Sequence, residues 1–197
     1  RRVTADKIYL VGFMGAGKTT VARRLAKRLG WQAADIDELI EQRERLTVSE
    51  IFARRGEPYF RAAERAVLGD QLASRHLVVA TGGGTFVDPH NREVINRDGV
   101  SVWLDVPLDQ AVARVPAGGR RPLAADRSEF ERLYLSSQLQ ALGLDPAIAK
   151  DRVAALTDEE VQSLAGKLQA LPAGADFTGV VILIVIGFLF WFFIIRK

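Results

Sequence analysis

The sequence predicts an α/β fold: a parallel β-sheet with helices on both faces, followed by short helices and one C-terminal transmembrane helix. Three observations predict it. Short apolar runs alternate with helical segments over the first two-thirds of the chain, a glycine-rich turn follows the first of these runs, and the last twenty residues or so are almost wholly apolar.

Ile8-Tyr9-Leu10-Val11 reads as the first strand and ends at Gly12. After the turn comes a helix over about 20–29, with Val21, Leu25 and Leu29 on one face and Gly30 stopping it. A short second strand ends in Asp35-Ile36-Asp37, and a helix follows over about 38–45. Two more helices are expected over about 49–54 and 58–74. His76 to Thr81 reads as a buried strand running into Gly82-Gly83-Gly84, and Val100 to Asp105 as a fourth strand. Such alternation builds a parallel sheet whose ligands bind beyond the carboxyl ends of the strands, where these glycine-rich loops lie.

The texture changes near residue 128. Ser128 with Glu131 makes a capping box for a helix that Gly143 terminates, Asp145-Pro146 opens a second helix, and Thr157 with Glu160 caps a third. Residues 171–176 read as a linker. From Phe177 to Ile195 there is no charged residue and Thr178 is the only polar side chain. These 19 residues reach about 28 Å as a helix, close to the thickness of a bilayer core. Trp191 suits the membrane interface, and Arg196-Lys197 would meet headgroups. The expected organisation is an α/β domain over 1–135, a short helical segment and linker over 136–176, and a transmembrane helix over 177–195.

Composition narrows the chemistry. With 27 Lys+Arg against 24 Asp+Glu, the net charge of +3 is too balanced to argue for a nucleic-acid partner. No cysteine is present, which excludes disulfides, thiolate metal sites and cysteine nucleophiles, and two histidines leave no material for a histidine-rich metal site. No apolar stretch near Arg1 reads as a signal peptide.

The residues that carry chemistry begin at Gly12. Gly12-Phe-Met-Gly-Ala-Gly17-Lys18-Thr19 matches G-x-x-x-x-G-K-[ST] between a strand and a helix, the context in which that pattern cradles phosphate. Backbone N–H groups turn toward phosphate oxygens, Lys18 neutralises the β/γ-phosphates, and the Thr19 hydroxyl is offered to Mg²⁺. Asp35 and Asp37, two apart at a strand end, project to one side. One would hold Mg²⁺ through water and the other would receive a substrate hydroxyl and its proton; the alternative is that they cap the following helix. Arg61 and Glu64 lie one helical turn apart, so the glutamate can orient a guanidinium that grips a carboxylate, or the two form an ordinary surface pair. Gly82, Gly83 and Gly84 permit close approach of a ligand to backbone. The segment Pro116 to Leu123, with Arg120 and Arg121, reads as a lid over the transferring phosphate.

The set GFMGAGKTT, DID, FRAAE, TGGG and RRPL, in this order and at these separations, resembles the shikimate kinases across about residues 5–135. The resemblance implies ATP-dependent phosphorylation of the 3-hydroxyl of shikimate, a step of aromatic amino-acid biosynthesis, on a five-stranded parallel sheet ordered 2-3-1-4-5. It also implies the site. Gly15, Ala16, Gly17, Lys18, Thr19 and Thr20 bind ATP phosphates; Thr19 and Asp35 serve Mg²⁺; Asp37 contacts the substrate hydroxyls and Arg61 its carboxylate. Gly82, Gly83 and Gly84 line the shikimate pocket, Arg114 stacks on adenine, and Arg121 stabilises the moving phosphoryl group. Lys18, Asp37 and Arg121 are thereby the catalytic candidates.

Departures begin after the lid. The family's second carboxylate-binding arginine corresponds to about Ser137 here, and its fifth strand, adenine-side loop and closing helix are not evident after 138. From about 136 to 197 the chain resembles instead the C-terminal part of a small uncharacterised bacterial family of membrane-anchored proteins. The expectation is therefore a junction near residue 136, with the lipid bilayer as a partner and a cytoplasmic kinase domain tethered to a bacterial inner membrane. The alternative is a nucleotide-binding or vestigial P-loop module without kinase activity.

Overall fold

The computed structural model describes residues 5–115, 127–141 and 144–169. Its first strand, β1 (Lys7–Val11), feeds the glycine-rich turn and helix α1 (Lys18–Leu29), which Gly30 closes in a left-handed conformation while its N–H bonds Ala26 O. Then come β2 (Gln32–Asp35), α2 (Ile36–Glu44), α3 (Val48–Asp70), β3 (Leu77–Ala80), α4 (Pro89–Asp98), β4 (Val100–Trp103) and α5 (Leu108–Arg114). Three helices follow: α6 (Arg127–Ala141), α7 (Pro146–Ala154) and α8 (Asp158–Gln169).

The four described strands form one sheet in the order β2-β3-β1-β4, every pairing parallel. Tyr9 stands opposite Val79 on one side and Ser101 on the other. All four residues of β3 are buried, as a strand covered on both faces requires. Alternation sorts them. Tyr9, Leu77 and Val79 pack with Ile36 and Ile40 of α2, Ile51, Phe60, Val67 and Leu68 of α3, and Ile95 of α4, whereas Leu10, Val78 and Ala80 pack with Ala22 and Ala26 of α1.

The buried face of α1 differs from the expected one. Lys18, Ala22 and Ala26 are its buried residues, while Val21 and Leu29 are 38% and 43% exposed. Alanine at i and i+4 lets the helix lie close on β1 and β3; Leu25 of the expected face packs at the margin of this cluster, whereas Val21 and Leu29 do not. The two helices expected over about 49–54 and 58–74 are found as the two halves of α3, which meet at a non-helical Gly56 (φ 79°, ψ 170°) immediately before Glu57-Pro58.

Helices α6 to α8 share a core. Leu135 and Leu139 of α6 meet Ala149 and Val153 of α7, with Leu156 and Val161 of α8 and its approach. On its other side α6 reaches the phosphate-loop turn: Phe130 and Tyr134 meet the Phe13 ring edge-on at centroid distances of 5.1 and 5.4 Å, contacts worth about 0.5–1.5 kcal/mol each beyond area burial. Tyr134 Oη also donates to Val106 O at 3.1 Å.

The expected membrane span over 177–195 lies outside the described residues. No helix among those described is long and apolar enough to cross a membrane. The longest, α3, carries charged residues turn after turn, including Glu57, Arg61, Glu64 and Arg65. The fold expectation is corrected accordingly, and with it the bilayer partner and the membrane-tethered location, which no described element supports.

Candidate active site

The turn between β1 and α1 has the geometry its glycines permit. Gly15 (φ 79°) and Gly17 (φ 83°) take the left-handed conformation, and Gly17 begins α1 with no capping side chain, leaving the helix N-terminus to face a ligand. Ala16 N–H bonds Phe13 O at 3.2 Å, which closes the turn. Lys18 is buried, and its ammonium donates to Gly12 O at 2.8 Å and Phe13 O at 2.9 Å, so the charge is held across the mouth of the loop. Thr20 is exposed on the first turn of α1. Arg114, at the end of α5, donates to Gly15 O at 3.2 Å and to Gln110 Oε1 at 3.1 Å, which ties the guanidinium to the loop's rim.

Asp35 divides its work between two oxygens. Oδ1 accepts the N–H groups of Asp37 and Glu38 at 3.0 and 3.3 Å and so caps α2, while Oδ2 accepts the Thr19 hydroxyl at 2.5 Å. The capping alternative is thus realised in Asp35, whose second oxygen is held by Thr19. Asp37 lies in the first turn of α2 and lines the adjoining cavity.

Arg61 and Glu64, on the α3 face toward the sheet's carboxyl edge, are joined by a 3.0 Å hydrogen bond from Nη1 to Oε2. Glu64 is fully buried, and its Oε1 accepts the Thr85 hydroxyl at 2.5 Å. Glu57 Oε1 takes Nε and Nη2 of Arg61 at 3.2 and 3.1 Å. Burial pushes the Glu64 carboxyl above its ordinary range; Arg61 and Thr85 oppose that and Asp37 adds to it. For Arg61 burial works against the charge, but Glu64 and Glu57 outweigh it, so the guanidinium is held above its usual range and stays a cation. The glycines after β3 allow this packing: a Cβ on Gly82 would stand 2.7 Å from Glu64 Oε1 and 2.9 Å from Asp37 Oδ1, and one on Gly84 would stand 2.7 Å from Arg61 Nη1 and Nη2.

These groups open on a cavity of about 570 Å³. Asp37, Arg61, Gly82, Gly83 and Gly84 all line it, so the five substrate-site expectations are brought together. Phe13 and Met14 of the phosphate turn form part of its wall, whereas Lys18, Thr19 and Asp35 lie outside the lining. Arg121 lies outside the described residues. Residues not anticipated from sequence are Glu57 and Thr85, which complete the Arg61–Glu64 network, and Arg132, Gln140 and Lys150 of the α6–α7 wall; Ser137, the position matched to the family's second carboxylate-binding arginine, also lines the cavity. The Pro58 that follows Glu57 was a visible bend signal; apart from the position matched at Ser137, nothing local marked the wall, because it is assembled from distant segments.

The family model described as shikimate kinase matches residues 14–165. The chain belongs to the shikimate kinase family. A shikimate kinase of Persephonella marina is 42% identical over 128 residues, covering 64% of this chain and 78% of that one. One of Cereibacter sphaeroides is 40% identical over 164 residues, covering 83% and 77%. Among solved structures, the shikimate kinase of Acinetobacter baumannii in complex with shikimate superposes with a TM-score of 0.64 at 34% identity, covering 84% of this chain and 92% of that one.

The extent of the shikimate kinase match corrects the expected junction. It runs to 165, and an alignment of 164 residues does not fit within 1–135, so the family resemblance continues past 136 where a membrane-anchored family was expected to begin. The structural reason is that α6 runs unbroken from Arg127 to Ala141 and packs on both the phosphate turn and α7–α8. Short capped helices rich in Ala and Leu read locally as a new segment, but their apolar faces close on one another and on the kinase core.

Proposed function

We propose that this chain transfers the γ-phosphoryl group of ATP to the 3-hydroxyl of shikimate, the reaction of its family, with the turn around Lys18 holding the nucleotide and the cavity beside it holding the acceptor. The observation that carries the reading is contiguity: Phe13 and Met14 belong to the phosphate-binding turn and also line the cavity that contains Asp37 and Arg61. A donor on one side of that turn and an acceptor on the other meet within reach of in-line transfer.

Backbone N–H groups from Gly15 to Thr20 and the N-terminus of α1 receive the phosphate oxygens, and the buried Lys18 ammonium spreads its charge over the β/γ-phosphates. Arg114, anchored on Gly15 O, borders the adenine side. Arg121 is assigned by its motif to the moving phosphoryl group. In the acceptor pocket Arg61 has five N–H donors, of which Glu57 and Glu64 engage three, and the remainder grip the substrate carboxylate. The backbone of Gly82 to Gly84 closes on the ring. Asp37 accepts the acceptor hydroxyl's hydrogen bond and then its proton. The hydroxyl oxygen forms its bond to the γ-phosphorus as the bond to the β,γ-bridging oxygen breaks, and ADP leaves with that electron pair.

Thr19 Oγ1 and Asp35 Oδ2, 2.5 Å apart, form a hard oxygen donor pair that suits Mg²⁺, and these two residues would hold it. The ion supplies charge neutralisation at the phosphate oxygens when bound.

The test is ADP release by the purified chain with Mg-ATP, with and without shikimate. Shikimate-dependent release that disappears in Lys18→Ala supports the reading; release indifferent to shikimate, or none from folded protein, contradicts it.

A further inference from the structure

Behind the acceptor cavity lies a hydroxyl that the transfer itself does not use. Thr85, in the turn after β3, is fully buried and does not line the cavity, whereas Glu64 and Arg61 do. Its backbone N–H bonds Gly82 O at 3.3 Å, which seats the residue over the glycine turn, and its Oγ1 donates to Glu64 Oε1 at 2.5 Å. Glu64 Oε2 in turn accepts Arg61 Nη1 at 3.0 Å. The contacts therefore run from Thr85 through Glu64 and Arg61 to the cavity. Three oxygens converge beside Gly82: a Cβ there would stand 2.7 Å from Glu64 Oε1, 2.9 Å from Asp37 Oδ1 and 3.0 Å from Thr85 Oγ1. Burial, and the Asp37 carboxylate reaching in from α2, both push the Glu64 carboxyl toward its neutral form. Arg61 on the same helix and the Thr85 hydroxyl on the glycine turn oppose that.

Resting on the acceptor assignment above, we propose that Thr85 is a positioning residue for the acceptor: its hydroxyl locks the Glu64 carboxylate in the orientation that turns Arg61 toward the cavity. Without that hydroxyl, Glu64 Oε1 is a buried acceptor facing Asp37. Two ways out are then open, rotation of the side chain or uptake of a proton. Either spoils the match with Arg61. A neutral Glu64 no longer pairs with the guanidinium charge, and a rotated one releases Nη1, so the donors that grip the substrate carboxylate lose their fixed direction. A hydroxyl suits this place because it holds the Glu64 anion without adding a charge beside Asp37.

The experiment is calorimetric titration of the full chain with shikimate, alongside steady-state kinetics across acid to mildly basic pH. The proteins are wild type, the isosteric Thr85→Val, Thr85→Ser, and Glu64→Gln with and without Thr85→Val. Thr85→Val should raise shikimate Kd and KM about fivefold or more at neutral pH, the range of one hydrogen bond to a charged group felt through its neighbour. The KM for ATP should stay unchanged. The acid limb of kcat/KM for shikimate should move to higher pH, because the bond that favours the Glu64 anion is gone. Thr85→Ser, which keeps the hydroxyl, should restore both, and in the Glu64→Gln background Thr85→Val should cost less than in the wild type. An unchanged Kd and acid limb in folded Thr85→Val overturns the proposal. So does a loss that persists in Thr85→Ser or is equally large beside Glu64→Gln, which would mark Thr85 as packing alone. Should Thr85→Val not fold, Thr85→Ala set against Thr85→Ser puts the same question to the hydroxyl. Wild type that binds shikimate without turnover counts against the kinase reading, and the Kd comparison then decides for or against Thr85. No shikimate binding by folded wild type overturns both.

Discussion

Gly84 lies so near Arg61 that a Cβ at position 84 would stand 2.7 Å from both terminal nitrogens of the guanidinium. The contacted atoms are the far end of a flexible side chain, so a methyl group there displaces Arg61 instead of breaking backbone packing. Gly84→Ala is therefore expected to change stability by less than about 1 kcal/mol while weakening the grip on the substrate carboxylate by about 1.5–3 kcal/mol, or roughly 10- to 150-fold in shikimate KM. Thermal melts and steady-state kinetics on one preparation check both halves. A large stability loss would mean that Gly84 is needed for the fold and not for Arg61.

Glu64 gives a pH prediction. Burial raises its folded-state pKa above the unfolded value, so its contribution to stability is fully present below the ordinary glutamate pKa and is lost as pH rises through the raised one. Against Glu64→Gln, which does not titrate, the wild type should compare best at about pH 4 and progressively less well toward about pH 7. Melting temperatures of the two proteins across that range read the trend directly.

Asp88 gives the opposite sign. It caps α4 by accepting the N–H groups of His90 and Asn91 at 2.8 and 3.3 Å, and it accepts Arg65 Nη2 at 2.5 Å. Burial works against its charge, but Arg65 and the cap outweigh that and hold its pKa below the ordinary aspartate range. Its stabilisation is present above that range and is lost as pH falls through the lowered value. Asp88→Ala should cost about 1 kcal/mol at neutral pH, with the gap narrowing as pH falls below the ordinary aspartate range, as urea melts at neutral and acid pH would show.

Asp35→Asn separates the two jobs of that side chain. The asparagine carbonyl still caps α2, so the fold should be unaffected, but the negative oxygen facing Thr19 is gone. The Mg²⁺ concentration for half-maximal activity should rise about tenfold or more, with helix content unchanged by circular dichroism. An unaltered Mg²⁺ dependence would remove Asp35 from the metal site.

What sequence made legible was whatever is local. The strand–turn–helix around Lys18, the cap-bearing Asp35 and the one-turn spacing of Arg61 and Glu64 are each fixed by a few adjacent residues, and each is found as expected. The break at Gly56 between the two halves of α3 was legible as a break between two helices. Helix α4, announced by Asp88-Pro89 at its N-terminus, and α5 were not anticipated. The face of α1 was legible in part: Leu25 packs toward the sheet, but the fully buried positions are Ala22 and Ala26, where small size lets the helix approach closely. The α6–α7 wall was illegible because Gln140 and Lys150 meet the Arg61 cavity only through tertiary packing. That same non-local closure of α6, α7 and α8 is why residues beyond 136 read as foreign.

The most direct test of the central claim is to identify the product. Purified chain incubated with Mg-ATP and shikimate should yield one equivalent of ADP and shikimate 3-phosphate, resolved by phosphorus NMR through its coupling to the ring proton at the phosphorylated carbon. Unchanged shikimate beside ADP and inorganic phosphate, or phosphate on a different hydroxyl, would contradict the account.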